Sequence, residues 1–218
     1  MNLLPVFTAP DLFIAALCFW LVGACGAPVF SKRDRLANHW GNGWAILGAL
    51  AGLSSSLMVL LGRAPFAFDY SSFLPLLSFT FKVDPLAAFF ILIICLIALL
   101  ASIYALGYVT HYYGKYNLGG LGFFYNIFLA GMVLVVSAHQ ALLFLVVWEI
   151  MSLASYFLVI QENREEKNIQ AGSLYFIMTH LGTACILVAF LLLYQWTGTL
   201  DFSLIKARTG AIPLLGKN

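Results

Sequence analysis

Residues 144–159 read FLVVWEIMSLASYFLV, an apolar run with one carboxylate, Glu149, near its middle. A charged side chain at the centre of a bilayer costs about 2.5–3.5 kcal/mol on insertion scales, so an ionisable group there predicts a function. Long apolar runs of this kind predict transmembrane helices. The chain contains several such runs, which together indicate an all-α polytopic membrane protein, and Glu149 is the first candidate functional residue.

The composition supports the membrane assignment. The 218 residues are 62% hydrophobic and 9% charged, whereas soluble domains average about 25% charged residues. A net charge of +2 with no basic, aromatic-rich patch argues against nucleic acid as a partner. The cysteines lie singly in apolar runs, which predicts neither disulfides nor an iron–sulfur site; they are Cys18, Cys25, Cys95 and Cys185.

Six apolar spans are long enough to cross the roughly 30 Å hydrocarbon layer as helices. They are Leu12–Phe30, Trp44–Leu61, Pro85–Val109, Leu121–Ser137, Ala141–Ile160 and Ala171–Trp196. Between the second and third, residues 64–83 alternate apolar and polar side chains, which predicts a β-hairpin at the outer surface. Asp84 and Pro85 predict the N-cap and first residue of a helix. Residues 1–218 are thus expected to form a single transmembrane domain.

Basic residues predict the orientation of these spans, because cytoplasmic loops are enriched in Lys and Arg. The loops assigned to the inside carry six bases: Lys32, Arg33, Arg35, Lys115, Arg164 and Lys167. Those assigned to the outside carry Arg63 and Lys82. The amino terminus is therefore expected outside, although Lys206, Arg208 and Lys217, after the sixth span, run against the bias.

Two ionisable side chains are expected near the bilayer midplane. Glu149 lies about 14 Å into its span at 1.5 Å per residue, and Ser152 and Tyr156 share its helical face. His180 reaches a similar depth in the sixth span, entered from the other side. Glu149 is either a proton-exchanging group or a neutral, hydrogen-bonded acid, and His180 is either a proton relay or an interhelical hydrogen-bonding group. The sequence leaves open whether the two are neighbours.

No cofactor is predicted. The sequence contains no phosphate-binding glycine loop, nucleophile elbow or zinc motif, and its histidines do not suit a bis-histidine haem. A redox enzyme in its own right, with a catalytic site in this chain, therefore has no support. A quinone or lipid pocket between helices stays open, because such sites are mostly apolar.

Residues 148–159, WEIMSLASYFLV, and 171–202, AGSLYFIMTHLGTACILVAFLLLYQWTGTLDF, resemble the antiporter-like membrane subunits. That family includes the large subunits of respiratory NADH:quinone oxidoreductase, the multisubunit cation/proton antiporters and the membrane subunits of hydrogenase-4 and formate hydrogenlyase. The resemblance also covers the hairpin and the VDPLAAFF stretch at residues 83–90. His180 and Thr183 stand where the complex I type commonly has Arg and Asp, which favours the hydrogenase branch.

The resemblance implies a proton-translocating subunit of a hydrogenase-4 or complex I-like oxidoreductase, with Glu149 as the family's fifth-helix glutamate. It implies a multi-pass protein of the bacterial inner membrane whose partners are other membrane subunits, and protons or Na⁺ as the transported ion. Family members carry about fourteen helices and place the glutamate's lysine partner on the seventh, so this chain is expected to be an amino-terminal part. The alternative is a structural or assembly subunit without ion transport of its own.

Overall fold

The computed structural model describes residues 7–62, 65–71, 78–162 and 166–209. The helices of this part of the chain are α1 (Ala9–Gly26), α2 (Asp34–Leu60), α3 (Pro85–Tyr108), α4 (Leu118–Ser137), α5 (Ala141–Val159), α6 (Glu166–Thr197) and α7 (Phe202–Thr209). Short 3-10 helices, Ala27–Phe30 and Val109–Tyr112, extend α1 and α3. Within the described residues, six helices are long and apolar enough to span a membrane. The predicted all-α polytopic fold is confirmed.

Two helices begin five or more residues before the apolar spans that the sequence predicts. α2 starts at Asp34 and α6 at Glu166, whereas the apolar spans start at Trp44 and Ala171. The early part of α2 carries amide side chains that face other helices, since Asn38 and Asn42 are both buried. Buried amides lower the hydropathy of α2 without ending the helix. At the start of α6, the polar side chains of Glu166, Lys167 and Asn168 do the same, so both helices extend beyond their apolar spans.

The β-hairpin is confirmed. β1 (Phe66–Ser71) and β2 (Ser78–Val83) pair antiparallel, with Phe66 opposite Val83 and Tyr70 opposite Phe79. The predicted turn between them falls on residues 72–77, outside the described residues. The ring centroid of Phe66 lies 5.7 Å from that of Phe13 on α1, so the hairpin packs against the beginning of the first helix.

α1 to α4 form the core, and small residues let them approach closely. Trp20 is fully buried on α1, and its indole Nε1 donates to the carbonyl of Ala45 on α2 at 3.3 Å. A Cβ added at Gly48 would lie 2.4 Å from that nitrogen, and one added at Gly52 would lie 2.5 Å from Sγ of Cys95 on α3. Close contact through small residues is typical of membrane helices.

Aspartate side chains cap the N-termini of two helices by accepting backbone hydrogen bonds. The Asp84 carboxylate accepts from the backbone N–H of Ala87 at 2.9 Å, which confirms the predicted start of α3. Asp201 likewise accepts from Leu204 at 2.9 Å and begins α7. This short helix extends to Thr209.

The helices run up and down between two ends of the bundle. At one end, which we call the basic end, residues 31–34 and 113–117 meet, and the N–H of Gly114 donates to Asp34 at 2.6 Å. At the other, the hairpin end, the N–H of His139 donates to the carbonyl of Thr80 at 2.9 Å. α5 packs on α4, and α6 packs on α5 and α7. α6 therefore lies at the edge of the bundle.

Candidate functional site

Glu149 and His180 face each other across α5 and α6. Nε2 of His180 lies 3.4 Å from Oε2 of Glu149, and the two side chains are 39% and 31% exposed, respectively. Glu149 is the ninth of the 19 residues of α5, and His180 is the fifteenth of the 32 residues of α6. Both side chains thus lie near the middle of their helices, and they are neighbours, which the sequence had left open.

A backbone contact sets the orientation of the imidazole. Nδ1 of His180 lies 2.9 Å from the carbonyl oxygen of Phe176, one turn earlier on α6. A carbonyl oxygen only accepts hydrogen bonds, so Nδ1 must carry a proton. In the neutral ring, Nε2 is then an unprotonated acceptor that faces Glu149.

Two acceptors at 3.4 Å form a favourable contact only if a proton lies between them. The pair therefore holds either a carboxylic acid beside a neutral imidazole or a carboxylate beside an imidazolium. The two forms differ by transfer of one proton between Glu149 and His180 and carry the same net charge of zero. The arrangement can hold, accept or release a proton inside the membrane span.

Aromatic rings cover one side of the pair. The ring centroid of Phe176 lies 4.0 Å from that of His180, and the ring of Tyr156 lies 5.3 Å from Phe176. Tyr156, two turns from Glu149 on α5, is thus connected with the pair through Phe176. Ser152, one turn from Glu149, is 4% exposed and lies on the buried side of α5.

A second polar contact between α5 and α6 was not predicted from the sequence. The hydroxyl of Tyr175 donates to Oγ of Ser155 at 3.0 Å. Both residues lie in the stretches that carry the family resemblance, residues 148–159 and 171–202. A single serine and a single tyrosine, however, give no sign in the sequence that they form a hydrogen bond. Thr183 and Ser173, in contrast, donate to carbonyls of their own helix at 3.0 and 2.9 Å, a common arrangement for hydroxyl side chains in membrane helices.

Among the described residues, acidic and metal-binding side chains do not cluster around the pair. Over the described ranges, no group of three or more His, Cys, Asp or Glu side chains could hold a metal ion.

Comparison with known families gives two matches along the chain. Residues 76–117 match the profile described as the N-terminus of chain 5 of NADH-ubiquinone oxidoreductase (complex I). Residues 138–214 match the transmembrane family described as NADH:quinone oxidoreductase/Mrp antiporter, and this region contains both Glu149 and His180.

Similar proteins agree with these matches. Hydrogenase-4 component B of Escherichia coli is 33% identical over 195 residues, which cover 89% of this chain and 29% of that protein. Formate hydrogenlyase subunit 3 of Escherichia coli is 29% identical over 207 residues, covering 95% of this chain and 32% of that subunit. This chain thus spans about a third of the length of these relatives.

A solved structure supports the fold. A chain of the membrane-bound sulfane sulfur reductase, an archaeal respiratory membrane complex, superposes with a TM-score of 0.76 at 19% identity, over 90% of this chain and 39% of that chain. The two family matches and the similarity to hydrogenase-4 component B show that the chain belongs to the antiporter-like family of membrane subunits found in complex I, Mrp antiporters and hydrogenase-4.

Proposed function

We propose that this chain is part of a proton-translocating membrane subunit, in a hydrogenase-4 type complex, with Glu149 as the protonatable switch. The observation that carries the proposal is the 3.4 Å contact between Oε2 of Glu149 and Nε2 of His180. A carboxylate in the middle of a membrane helix is costly. A titratable base beside it gives the proton a second position and compensates the negative charge.

The charge of the pair gives a physical reason for coupling. With one proton between them, Glu149 and His180 are neutral overall. Gaining a second proton leaves a net positive charge and losing the last one leaves a net negative charge, and a net charge is unfavourable at bilayer depth. Uptake of one proton by the pair therefore favours release of another.

Neighbouring hydroxyls on α5 extend this proposal. Ser152 and Tyr156 follow Glu149 at one and two helical turns, Ser152 on the buried side of α5 and Tyr156 beside Phe176 of α6. A hydroxyl both donates and accepts hydrogen bonds, so each can take part in a proton relay. Ser152 and Tyr156 are accordingly proposed as relay groups on the side of the pair nearer the basic end.

A structural or assembly role is the second candidate, and the exposure of α6 favours it. Of the 32 residues of this helix, only Gly172 and Thr197 are buried within the described part of the chain. An apolar helix with so little burial offers a wide packing surface to other membrane segments. In that role, Glu149 and His180 would form a fixed interhelical contact that exchanges no protons.

Proton movement in the complete complex separates the two candidates. The complex is reconstituted into vesicles, and acidification is followed with a pH-sensitive dye while redox turnover is measured in parallel. Glu149→Gln should abolish coupled proton movement and leave redox turnover and assembly intact.

Glu166→Gln, which removes an exposed carboxylate at the first residue of α6, is the matched control and should pump like the wild type. Normal pumping by Glu149→Gln contradicts the transport proposal. Repeating the assay without Na⁺ identifies the transported ion.

The orientation is also proposed, with the amino terminus outside and the basic end in the cytoplasm of a bacterial inner membrane. Lys32, Arg33 and Lys115 all lie at the basic end, whereas Lys82 lies on β2 at the hairpin end. Labelling of single cysteines by a membrane-impermeant maleimide tests it. A cysteine at Lys115 should react only in inside-out vesicles, and one at Lys82 only in right-side-out vesicles.

A further inference from the structure

A groove runs along the outer face of α2 from the basic end toward the middle of the helix. Its volume is about 340 Å³. Its lining is aromatic and aliphatic, with one imidazole: Phe30, Leu36, His39, Trp40, Gly43, Trp44 and Leu47. From Leu36 to Leu47 the groove follows α2 for about 16 Å at 1.5 Å per residue. It is thus long and narrow and parallel to a membrane-spanning helix.

Packed rings form the wall of the groove. The ring centroid of Trp40 lies 5.2 Å from that of Phe30 and 5.6 Å from that of Trp44. The indole Nε1 of Trp40 donates to the carbonyl of Val22 on α1 at 3.2 Å, which fixes the ring. Beside these rings, a Cβ added at Gly43 would meet no atom within 4 Å. The absence of a side chain at Gly43 therefore keeps the groove open.

The mouth of the groove is positively charged. Lys32, Arg33 and Arg35 are all exposed there. The one acid among them, Asp34, accepts a hydrogen bond from the N–H of Gly114 at 2.6 Å. Asp34 therefore contributes to the contact with residues 113–117. Arg35, His39 and Gly43 follow at intervals of four residues and share one face of α2. A basic mouth and an apolar groove are therefore continuous along this face.

We propose that this groove binds an anionic phospholipid, with an acyl chain along Trp40, Gly43 and Trp44 and the phosphate at Lys32 and Arg35. The bases lie at the end of a membrane-spanning helix, where lipid headgroups are located, and the groove leads from them in the direction of an acyl chain. Basic residues at this position attract anionic lipid headgroups. The proposal is independent of the Glu149–His180 pair, which lies on other helices.

Native mass spectrometry of the full chain in detergent tests the apolar part of the site. Phosphatidylglycerol is added in one series, and phosphatidylcholine with identical acyl chains in another. The wild type should retain one phosphatidylglycerol. Gly43→Phe should lose it, because Gly43 lines the groove and the added ring takes up space there without changing the charge. Gly107→Phe is the matched control, since a Cβ at Gly107 also meets no atom within 4 Å, and this variant should bind like the wild type.

A charge-removal series tests the mouth and covers the case in which Gly43→Phe fails to fold. Each base near an anionic headgroup contributes on the order of fivefold in affinity, so Lys32→Gln with Arg35→Gln should weaken phosphatidylglycerol binding by about 25-fold. Lys167→Gln with Lys206→Gln removes the same charge elsewhere and should have no effect. Equal binding of the two lipids, or retention of phosphatidylglycerol by Gly43→Phe, overturns the proposal. A dimer that forms at this face and excludes lipid overturns it as well.

Discussion

Nε2 of His180 on α6 lies 3.4 Å from Oε2 of Glu149 on α5, so the acid inside the membrane span has a titratable base beside it within this chain. The family resemblance implied a lysine partner on a seventh helix. A histidine differs from a lysine in an important respect, because its unperturbed protonation equilibrium lies near physiological pH. The proposed function requires that the two residues exchange a proton rather than form a permanent ion pair.

Replacing the imidazole should slow proton movement without preventing assembly. His180→Gln keeps a polar side chain of similar size but cannot accept a proton at neutral pH. General acid–base groups typically increase the rate of a proton transfer by about 10²–10⁴-fold. We therefore expect coupled proton movement to slow by about 100-fold in His180→Gln. The rate is measured in vesicles across a range of pH. The pH profile of the wild type should differ in shape from that of His180→Gln, whereas a purely structural contact would leave the shape of the profile unchanged.

Close packing between α1 and α2 should make Gly48 sensitive to the smallest substitution. A Cβ at this position would lie 2.4 Å from Nε1 of Trp20, which is fully buried. Overpacking of this kind costs about 1–3 kcal/mol. Gly48→Ala should therefore lower the thermal unfolding temperature of the purified protein in detergent.

Gly107→Ala is the control for Gly48→Ala. The added methyl meets no atom within 4 Å, and replacing glycine by alanine in a helix is favourable by up to about 1 kcal/mol. This variant should be as stable as the wild type or more stable. Equal stability of the wild type and Gly48→Ala would contradict the described contact between α1 and α2.

Contacts of Phe202 should hold α7 against the hairpin end. Its ring centroid lies 5.7 Å from that of Phe190 and 6.5 Å from that of Phe144, and its N–H donates to the carbonyl of His139 at 3.2 Å. Phe202→Ala removes the ring contacts and should increase local opening of α7. Trypsin should then cleave at Lys206 and Arg208 several-fold faster.

Leu204 provides the comparison for that experiment. It lies on the same short helix and is 49% exposed, so Leu204→Ala should leave the cleavage rate close to that of the wild type. An equal rate in Phe202→Ala and the wild type would mean that the ring contacts do not hold α7 in place.

The sequence predicted those features that depend on one local pattern. The alternation in residues 64–83 predicted the hairpin because strand side chains repeat every two residues. The aspartate before Pro85 predicted the start of α3 because its carboxylate caps the helix. The start of α2 was missed because the buried amides of Asn38 and Asn42 lower the hydropathy of a segment that is nevertheless helical.

The candidate site was predictable in depth but not in lateral position. Counting residues placed Glu149 and His180 near the same level of the membrane. Their contact also depends on which helices are neighbours and how each is rotated, and these follow from packing between residues far apart in the chain. At the basic end, for example, a Cβ at Gly172 of α6 would lie 2.3 Å from Cγ2 of Ile160. Such a close approach cannot be predicted from local periodicity.

Infrared difference spectroscopy of the protein in membranes, recorded while the pH is changed, tests the proton exchange most directly. The carbonyl stretching band of a protonated carboxyl group should appear and disappear with pH in the wild type, together with imidazole ring bands. Glu149→Gln should abolish the carboxyl band, and His180→Gln should change the pH at which it appears. A carboxyl band that does not respond to pH, or one that responds identically in His180→Gln, would contradict the proposal that Glu149 and His180 share and exchange a proton.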